Sequence, residues 1–246
     1  MPATHLTRRA IVRISPQVAE EDATAFLQGL LTNDVTGADP TYAALLSAQG
    51  KTMFDVIVWH DGADVLLDCE ANVADDLAKR LSLYRLRRKL DIVIDPAIAV
   101  HWQLTGETGQ PDPRLPALGH RWLASAGPSN PPELAADEQW LAHRLSCGVA
   151  EGRAELGDIL WLETNAAELN GVSFSKGCYI GQENTARMNW RQKVNRRLIV
   201  VPLNRSDEKR QVIAYPELGK AVDHLRIEAI SPDWVPAWMD LTPQAN

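Results

Sequence analysis

The chain has 246 residues, of which 45% are hydrophobic and 23% charged, and its formal net charge is −7. This composition excludes a disordered chain, the length allows two domains, and no apolar run is long enough to span a membrane. Three widely spaced cysteines favour a reducing compartment over a disulfide framework, so we expect a cytoplasmic protein. Because the chain has neither a CxxC nor an HxxxH pair, no zinc site is predicted.

The first 100 residues predict an α/β region in which strands alternate with single helices. The basic N-terminus leads into the apolar run RRAIVRIS, which predicts a first strand rather than a transit peptide. Apolar residues at helical spacing predict helices over 19–34 and 71–86. The predicted strands are 8–15, three strands within 41–69 that are separated by turns at Gln49–Gly50 and Asp61–Gly62, and 91–95. This order indicates an α+β arrangement with the helices on one face of the sheet.

The rest of the chain divides into a middle region, 101–190, and a short C-terminal β-domain, 191–246. Prolines and glycines crowd the segment 106–132, which predicts an irregular connection or a reduced piece of a second domain. A helix is predicted over 136–148, with Gly148 as its stop. Short strands are predicted within 195–203, 211–219 and 224–230.

The octapeptide KGCYIGQE, residues 176–183, has the composition of a site rather than of a strand. Two glycines within six residues would weaken a strand. Cys178 lies two residues after Lys176, and a cationic neighbourhood favours the thiolate, the form that reacts and binds metals. The alternative is that Cys178 is a small buried hydrophobic residue, and the local chemistry alone does not decide between the two.

Two further groups of polar residues are candidates. Gln182 and Glu183 offer an amide and a carboxylate for recognising a heterocycle, or they begin a short helix within GQENTARMNW. In QGKTMFD, Lys51 follows a turn glycine and Asp55 interrupts an apolar strand, where it faces either solvent or a ligand.

Basic residues are concentrated in the segment 176–210. It has nine Lys or Arg residues against three acids, which predicts either a solvated surface or a surface that faces an anion. No Walker loop, dinucleotide fingerprint or serine-hydrolase elbow is present, so nucleotide binding and triad hydrolysis are not predicted.

Five segments together resemble the YgfZ family, which belongs to a folate-binding superfamily with the glycine-cleavage aminomethyltransferase. In chain order they are FLQGLLTNDV (26–35), SAQGKTMFD (47–55), LYRLRRKLDI (83–92), HRLSCGVAEG (143–152) and KGCYIGQE (176–183). The resemblance implies an aminomethyltransferase-like α+β fold, a ring of an N-terminal α/β region, a ferredoxin-like middle region and a reduced C-terminal β-barrel. It also implies a tetrahydrofolate-binding accessory protein that supports assembly or repair of iron–sulfur enzymes, with those enzymes or assembly proteins as partners.

The resemblance carries over to individual residues of this chain. Cys178 is implied as the functional thiol, acting in redox chemistry, as a carbon acceptor or as a contact to a cluster. The implied folate-binding residues are Lys51, Asp55, Lys176, Gly177, Tyr179, Gly181, Gln182, Glu183 and Arg187, with the basic run steering the anionic glutamate tail.

Two other functions remain as alternatives. A folate-dependent aminomethyl- or methyltransferase would use Asp55 near the reacting nitrogen, but aminomethyltransferases carry paired acids where this chain has Phe54–Asp55. They also have glycine where this chain has Lys51. A nucleic-acid-binding protein would use the basic run and is the least favoured, because the remainder of the chain is acidic.

Overall fold

The structure is a computed structural model, and it describes residues 3–37, 40–127, 135–190 and 194–241. The strands are β1 (Arg9–Pro16), β2 (Thr41–Leu46), β3 (Thr52–Asp61), β4 (Asp64–Glu70), β5 (Leu90–Ile94), β6 (Ile98–Gln103), β7 (Gln110–Pro111), β8 (His120–Ser125), β9 (Arg196–Pro202), β10 (Gln211–Tyr215) and β11 (Lys220–Arg226). The α-helices are α1 (Ala23–Gln28), α2 (Ala74–Arg85), α3 (Asp137–Ser146), α4 (Arg153–Leu156) and α5 (Gln182–Trp190). Within those ranges, no helix combines the length and the apolar composition needed to cross a membrane.

The N-terminal sheet has the strand order β2-β3-β4-β1-β5, and all of its pairs are antiparallel. Side chains alternate between its two faces, as the period of a strand requires. Val12 and Ile14 belong to the core that packs against α1 and α2. Ile11 faces the other way, into a core that contains Trp140 and Trp161 of the middle region. The predicted strands of this region are confirmed, and both faces of the sheet are covered.

The first helix is shorter than predicted. Asp22 caps it, accepting a hydrogen bond from the amide of Ala25, and the helix ends at Gln28 rather than near Asp34. Leu31 instead forms a β-bridge with Leu45. The carbonyl oxygens of Gln28, Leu31 and Asn33 accept hydrogen bonds from the side chain of Lys176. The chain therefore leaves the helical path at this point, even though its apolar spacing would allow the helix to continue.

The proline-rich segment is more ordered than an irregular connection. Strands β6, β8 and β7 form a three-stranded antiparallel sheet in which Trp102 pairs with Arg121. Residues 128–132 of the predicted segment lie outside the described residues. The interpretation as an irregular connection is therefore wrong for the part up to Ser125.

The predicted helix at 136–148 is confirmed as α3, and the strands predicted within 195–203 and 211–219 are confirmed as β9 and β10. The third strand, β11, ends at Arg226, so the prediction within 224–230 is wrong from Ile227 onward, where a short 3₁₀ helix follows. These strands form a sheet of order β10-β11-β9, with both pairs antiparallel. Over the residues that the structure describes, this sheet does not close into a barrel. The C-terminal unit is thus an open three-stranded sheet, where the resemblance implied a reduced barrel.

Candidate functional site

Lys176 joins the octapeptide to the segment that follows α1. Its ammonium group donates hydrogen bonds to the carbonyl oxygens of Gln28, Leu31 and Asn33, at 2.7, 2.5 and 2.9 Å. The side chain is buried, and burial lowers the pKa of Lys176 to about 8, while Asp34 acts in the opposite direction. All three donors of the ammonium group are therefore used in anchoring the loop.

The residues after Lys176 present the thiol to solvent. Tyr179 is buried, and its ring centroid lies 5.2 Å from the Lys176 ammonium. Cys178 is exposed, as is Gly177. The buried-hydrophobe interpretation of Cys178 is therefore wrong, and it describes the buried Cys69 instead. That Lys176 also activates the thiol stays a prediction.

The C-terminal half of the octapeptide packs against the turn between β2 and β3. Gly181 has a φ of +80°, and a Cβ atom there would lie 2.5 Å from the carbonyl oxygen of Ser47. Asn184 donates to the carbonyl oxygen of Gln49 at 2.6 Å. The octapeptide is thus held at both ends by N-terminal segments, 26–35 and 47–55, which are two of the five segments that carry the family resemblance.

The other predicted binding residues around the loop lie at its surface. Glu183 and Arg187 are exposed on α5 and pair with each other at 2.6 Å, in the i,i+4 arrangement. The predicted start of a helix at Gln182 is confirmed. Lys51 forms a backbone bridge with Leu160, and its side chain is exposed.

Asp55 belongs to a different environment from Cys178. It lies on β3, four residues after Lys51 and roughly 13 Å from it at the rise of a strand. Asp55 is only 5% exposed, whereas Cys178 is an exposed residue. The solvent-facing interpretation of Asp55 is therefore wrong. It points opposite to Phe54 and Val56, as alternation predicts, but that face of the sheet is buried beneath the middle region.

A buried charge cluster surrounds Asp55. Its members come from the N-terminal and middle regions, and each is less than 10% exposed: Arg9, Asp55, Asp68, Asp112, Arg114, Arg121, Arg144, Glu151 and Glu155. Sequence reasoning identified only Asp55 among them. The available signal was the occurrence of charges inside apolar strands, as with Arg9 in RAIVRI and Asp68 in VLLDC.

Carboxylates at the centre of the cluster bridge several guanidinium groups. Asp68 accepts from Arg9 at 2.6 Å and from Arg121 at 2.7 Å. Glu151 accepts from Arg114 at 2.6 Å and from the indole of Trp140 at 2.9 Å. Burial opposes ionisation of Glu151, but the surrounding arginines hold its pKa well below the usual range.

One side of the cluster reaches the C-terminal sheet. Arg144 donates to both carboxylate oxygens of Glu155, at 2.8 and 2.5 Å. Tyr215 on β10 donates its hydroxyl to the same carboxylate. The cluster therefore ties the three regions together with charge-assisted bonds, which are stronger than neutral ones.

Asp55 carries the excess carboxyl group of this cluster. Four guanidinium groups face five carboxyl groups, so protonation of Asp55 would balance the charges. The pKa of Asp55 is raised to about 6, chiefly by burial, with Glu151 and Glu70 acting in the same direction and Arg9 opposing them. Its one hydrogen bond within the described residues is a long contact of 3.4 Å from the Gly152 amide. Asp55 can therefore hold or release a proton near neutral pH.

Several donors of the cluster have no hydrogen-bond partner among the described residues. They are Nη1 of Arg9, Nε and Nη2 of Arg121, and Nε of Arg144. A buried donor without an acceptor costs free energy unless water or a ligand supplies one. Each of these nitrogen atoms lies 3.5–3.9 Å from a carboxylate oxygen of Asp112 or Glu151, in an ion pair without a hydrogen bond.

The predicted basic run does not form a single cationic surface. Lys176 is buried against carbonyl groups, Arg187 pairs with Glu183, and Arg197 pairs with Glu168 at 2.8 Å. Two other cations of the run, at positions 191 and 193, lie outside the described residues. The geometry of the described part therefore does not favour a continuous surface for an anion.

Comparison with known proteins gives several iron–sulfur cluster assembly factors as relatives. The chain is 36% identical over 224 residues to the human (Homo sapiens) mitochondrial iron–sulfur cluster assembly factor IBA57, covering 75% of this chain and 63% of that protein. It is 35% identical to the mouse (Mus musculus) protein of that name, covering 80% and 65%, and 31% identical to the Neurospora crassa homologue, covering 80% and 52%. The chain thus spans between about half and two thirds of the length of these relatives. No protein-family model matches it.

The fold has a solved counterpart. The chain superposes on the glycine cleavage system aminomethyltransferase T from Bartonella henselae with a TM-score of 0.65, covering 91% of this chain and 78% of that one. The sequence identity is 14%, so this likeness concerns the fold alone. It confirms the predicted aminomethyltransferase-like α+β fold. The IBA57 relatives and this fold together confirm the predicted resemblance to the YgfZ family.

Proposed function

We propose that this protein is an accessory factor in the assembly or repair of iron–sulfur cluster proteins and that Cys178 is its functional thiol. The observation that carries the proposal is an exposed thiol on a loop whose two ends are fixed by Lys176 and Gly181. The IBA57 relatives are named as iron–sulfur cluster assembly factors, which supports the same role.

The exposure of Cys178 favours contact with another protein over contact with a buried small molecule. A single cysteine cannot hold a cluster by itself, because clusters take four ligands. We infer that any cluster contact of Cys178 is shared with a client enzyme or an assembly protein. A thiolate is the form that such a contact requires.

A reduced folate is the proposed small-molecule ligand, bound in the region of Asp55 and the buried charge cluster. The fit rests on Nη1 of Arg9 and on Nε and Nη2 of Arg121, which have no hydrogen-bond partner among the described residues and lie 3.5–3.8 Å from carboxylate oxygens of Asp112 and Glu151, so that acceptor atoms of a pterin would suit them. Asp55 supplies a carboxyl group that can carry a proton near neutral pH. When bound, a reduced folate would supply a carrier for one-carbon units.

The location is proposed to be a reducing compartment. Three free cysteines are consistent with it. The IBA57 relatives are described as mitochondrial, and the cytoplasmic location expected from the sequence stays a prediction.

The test uses four purified proteins: wild type, Cys178→Ala, Asp55→Asn and Cys147→Ala as a matched cysteine control. Each is titrated calorimetrically with tetrahydrofolate, and each is expressed in cells that lack their own family member, where iron–sulfur enzyme activity is measured. Cys178→Ala is expected to bind folate normally and fail in cells, and Asp55→Asn is expected to bind weakly. Cys147→Ala should behave as wild type in both assays.

The outcomes separate the parts of the proposal. If cells with Cys178→Ala keep full iron–sulfur enzyme activity, the thiol is not required for the function. If the wild type does not bind tetrahydrofolate, the proposal that folate is its ligand fails, and the role of the thiol would have to be explained by a partner protein. Turnover of a one-carbon donor by the wild type would revive the aminomethyltransferase alternative.

A further inference from the structure

The segment LYRLRRKLDI is part of the family resemblance, but the proposed function does not use it. Where α2 ends, Arg85 accepts a hydrogen bond at its carbonyl from the amide of Arg88, at 3.0 Å, and closes a turn. Leu86, the second residue of this turn, has φ +53° and ψ −111°. These angles are those of the first central position of a type II′ turn, where glycine is normally required.

Leu86 differs from the other non-glycine residues with positive φ. Among the described residues these are Asp158, Asn165 and Asn170, all of types that tolerate such angles. The side chain of Leu86 offers no such tolerance of positive φ, and it gains little from packing because it is 85% exposed. The fold thus holds an apolar side chain in water on a strained backbone, and strain of this kind occurs mainly at functional positions.

The turn is held in place by contacts to the start of α1. Arg88 pairs with Glu21 at 2.8 Å and donates to the carbonyl oxygen of Asp22 at 3.0 Å. Glu21 also accepts from the backbone amide of Lys89 at 3.0 Å. The surrounding structure therefore fixes the direction in which Leu86 projects, without using its side chain.

The surface around Leu86 combines apolar and cationic groups. Leu83, one turn earlier on α2, is 67% exposed. Four of the five residues from Arg85 to Lys89 are cationic, and Arg87 and Lys89 are exposed. Arg87 has no ion-pair partner in the described ranges. In a chain with a net charge of −7, this is a local cationic surface with two apolar side chains.

We propose that this turn, residues 83–89, is a docking surface for a protein partner that presents carboxylate side chains next to an apolar one. The positive charge of the turn calls for a complementary acidic surface, and Leu86 supplies an apolar anchor of fixed direction. A membrane surface is less well matched, because two leucines and a few cations give little apolar area and only about 1 kcal/mol per cation near anionic lipid. The proposal is independent of both the thiol and the folate.

The test selects peptides from a random displayed library on the full-length protein, and compares wild type with Leu86→Gly and Arg87→Glu. Leu104→Ala and Lys209→Glu are the matched controls, because Leu104 is 47% exposed and Lys209 lies in an exposed turn elsewhere. We expect the wild type and both controls to enrich peptides that combine Asp or Glu with a large apolar residue. A selected peptide should lose at least about tenfold in affinity for each of the two turn variants, and its NMR footprint should fall on residues 83–89.

Two results would overturn the proposal. One is equal enrichment and affinity for wild type and turn variants, which would place any binding elsewhere. The other is binding to vesicles of phosphatidylserine and phosphatidylcholine that depends on Leu86 and Arg87 while no acidic peptide is enriched, which would make the surface a membrane contact. Unfolding midpoints of all variants are measured alongside, so that loss of binding is not confused with loss of fold.

Discussion

Gly181 and Gly50 meet backbone to backbone. A Cβ atom at Gly181 would lie 3.0 Å from the Cα atom of Gly50, and both residues have positive φ, at +80° and +76°. The glycine of the octapeptide is therefore needed for contact between two parts of the chain about 130 positions apart. Gly177 is different, because a Cβ atom there would meet nothing within 4 Å.

Alanine at Gly181 is expected to destabilise the protein by about 2–4 kcal/mol, because it combines positive φ with a clash against the backbone of Ser47. Gly177→Ala is the matched control from the same loop and should change the free energy of unfolding by less than about 0.5 kcal/mol. Urea unfolding of both variants decides the point. Equal stability of the two would mean that the loop can move away from Ser47 at little cost.

Replacing Lys176 with methionine is expected to lower the free energy of unfolding by about 3 kcal/mol. The substitution keeps much of the apolar stem but removes the donor from the carbonyl groups of Gln28, Leu31 and Asn33. Carbonyl groups buried without partners account for the cost. Lys209→Met, at an exposed turn, is the control and should be nearly neutral. If Lys176→Met proves as stable as wild type, water must replace the ammonium group.

These contacts show where sequence reasoning succeeds and where it stops. Periodicity identifies the sheet and α2, because each strand or helix buries one face against a core and its spacing records this. Nothing near Lys176 in the sequence indicates that it bonds three carbonyl groups some 145 positions earlier, and so apolar spacing predicts too long a helix α1. Asp55 was found as a charge within a strand, but its partners Arg9 and Glu151 come from distant segments, and pairing between distant charges leaves no local pattern.

Asp55→Asn is expected to stabilise the protein at neutral pH. The pKa of Asp55 is raised from 3.8 to about 6 in the folded state, chiefly by burial, so the folded protein holds a proton that the unfolded chain loses between pH 4 and 6. Raising the pH through this window therefore lowers the free energy of unfolding. Above pH 6 this loss of stability is complete and amounts to roughly 3 kcal/mol.

The measurement compares wild type with Asp55→Asn by urea unfolding at pH 4, 5, 6 and 7. The advantage of the variant should be smallest at pH 4, grow up to pH 6 and then level off. Asp75→Asn, at an exposed position of α2, controls for the loss of a negative charge and should show no such growth. An advantage of Asp55→Asn that stays constant with pH would mean that Asp55 does not titrate in this range.

Leu86→Gly is expected to raise the free energy of unfolding by about 1 kcal/mol. Glycine relieves the strain of φ +53°, of order 1–3 kcal/mol, at an entropic cost of about 0.5–1 kcal/mol in the unfolded chain. Little packing is lost, because the side chain is 85% exposed. Leu86→Ala removes the same apolar surface but keeps the strained backbone, so it should bring no gain.

Thermal and urea unfolding of these two variants bear directly on the docking surface. A stabilised Leu86→Gly that no longer binds acidic peptides would show that the leucine is kept at the expense of stability, as expected for a residue whose contacts lie in a partner. If Leu86→Gly is instead less stable than Leu86→Ala, the turn is not strained by leucine. The exposed side chain would then need no partner to explain it.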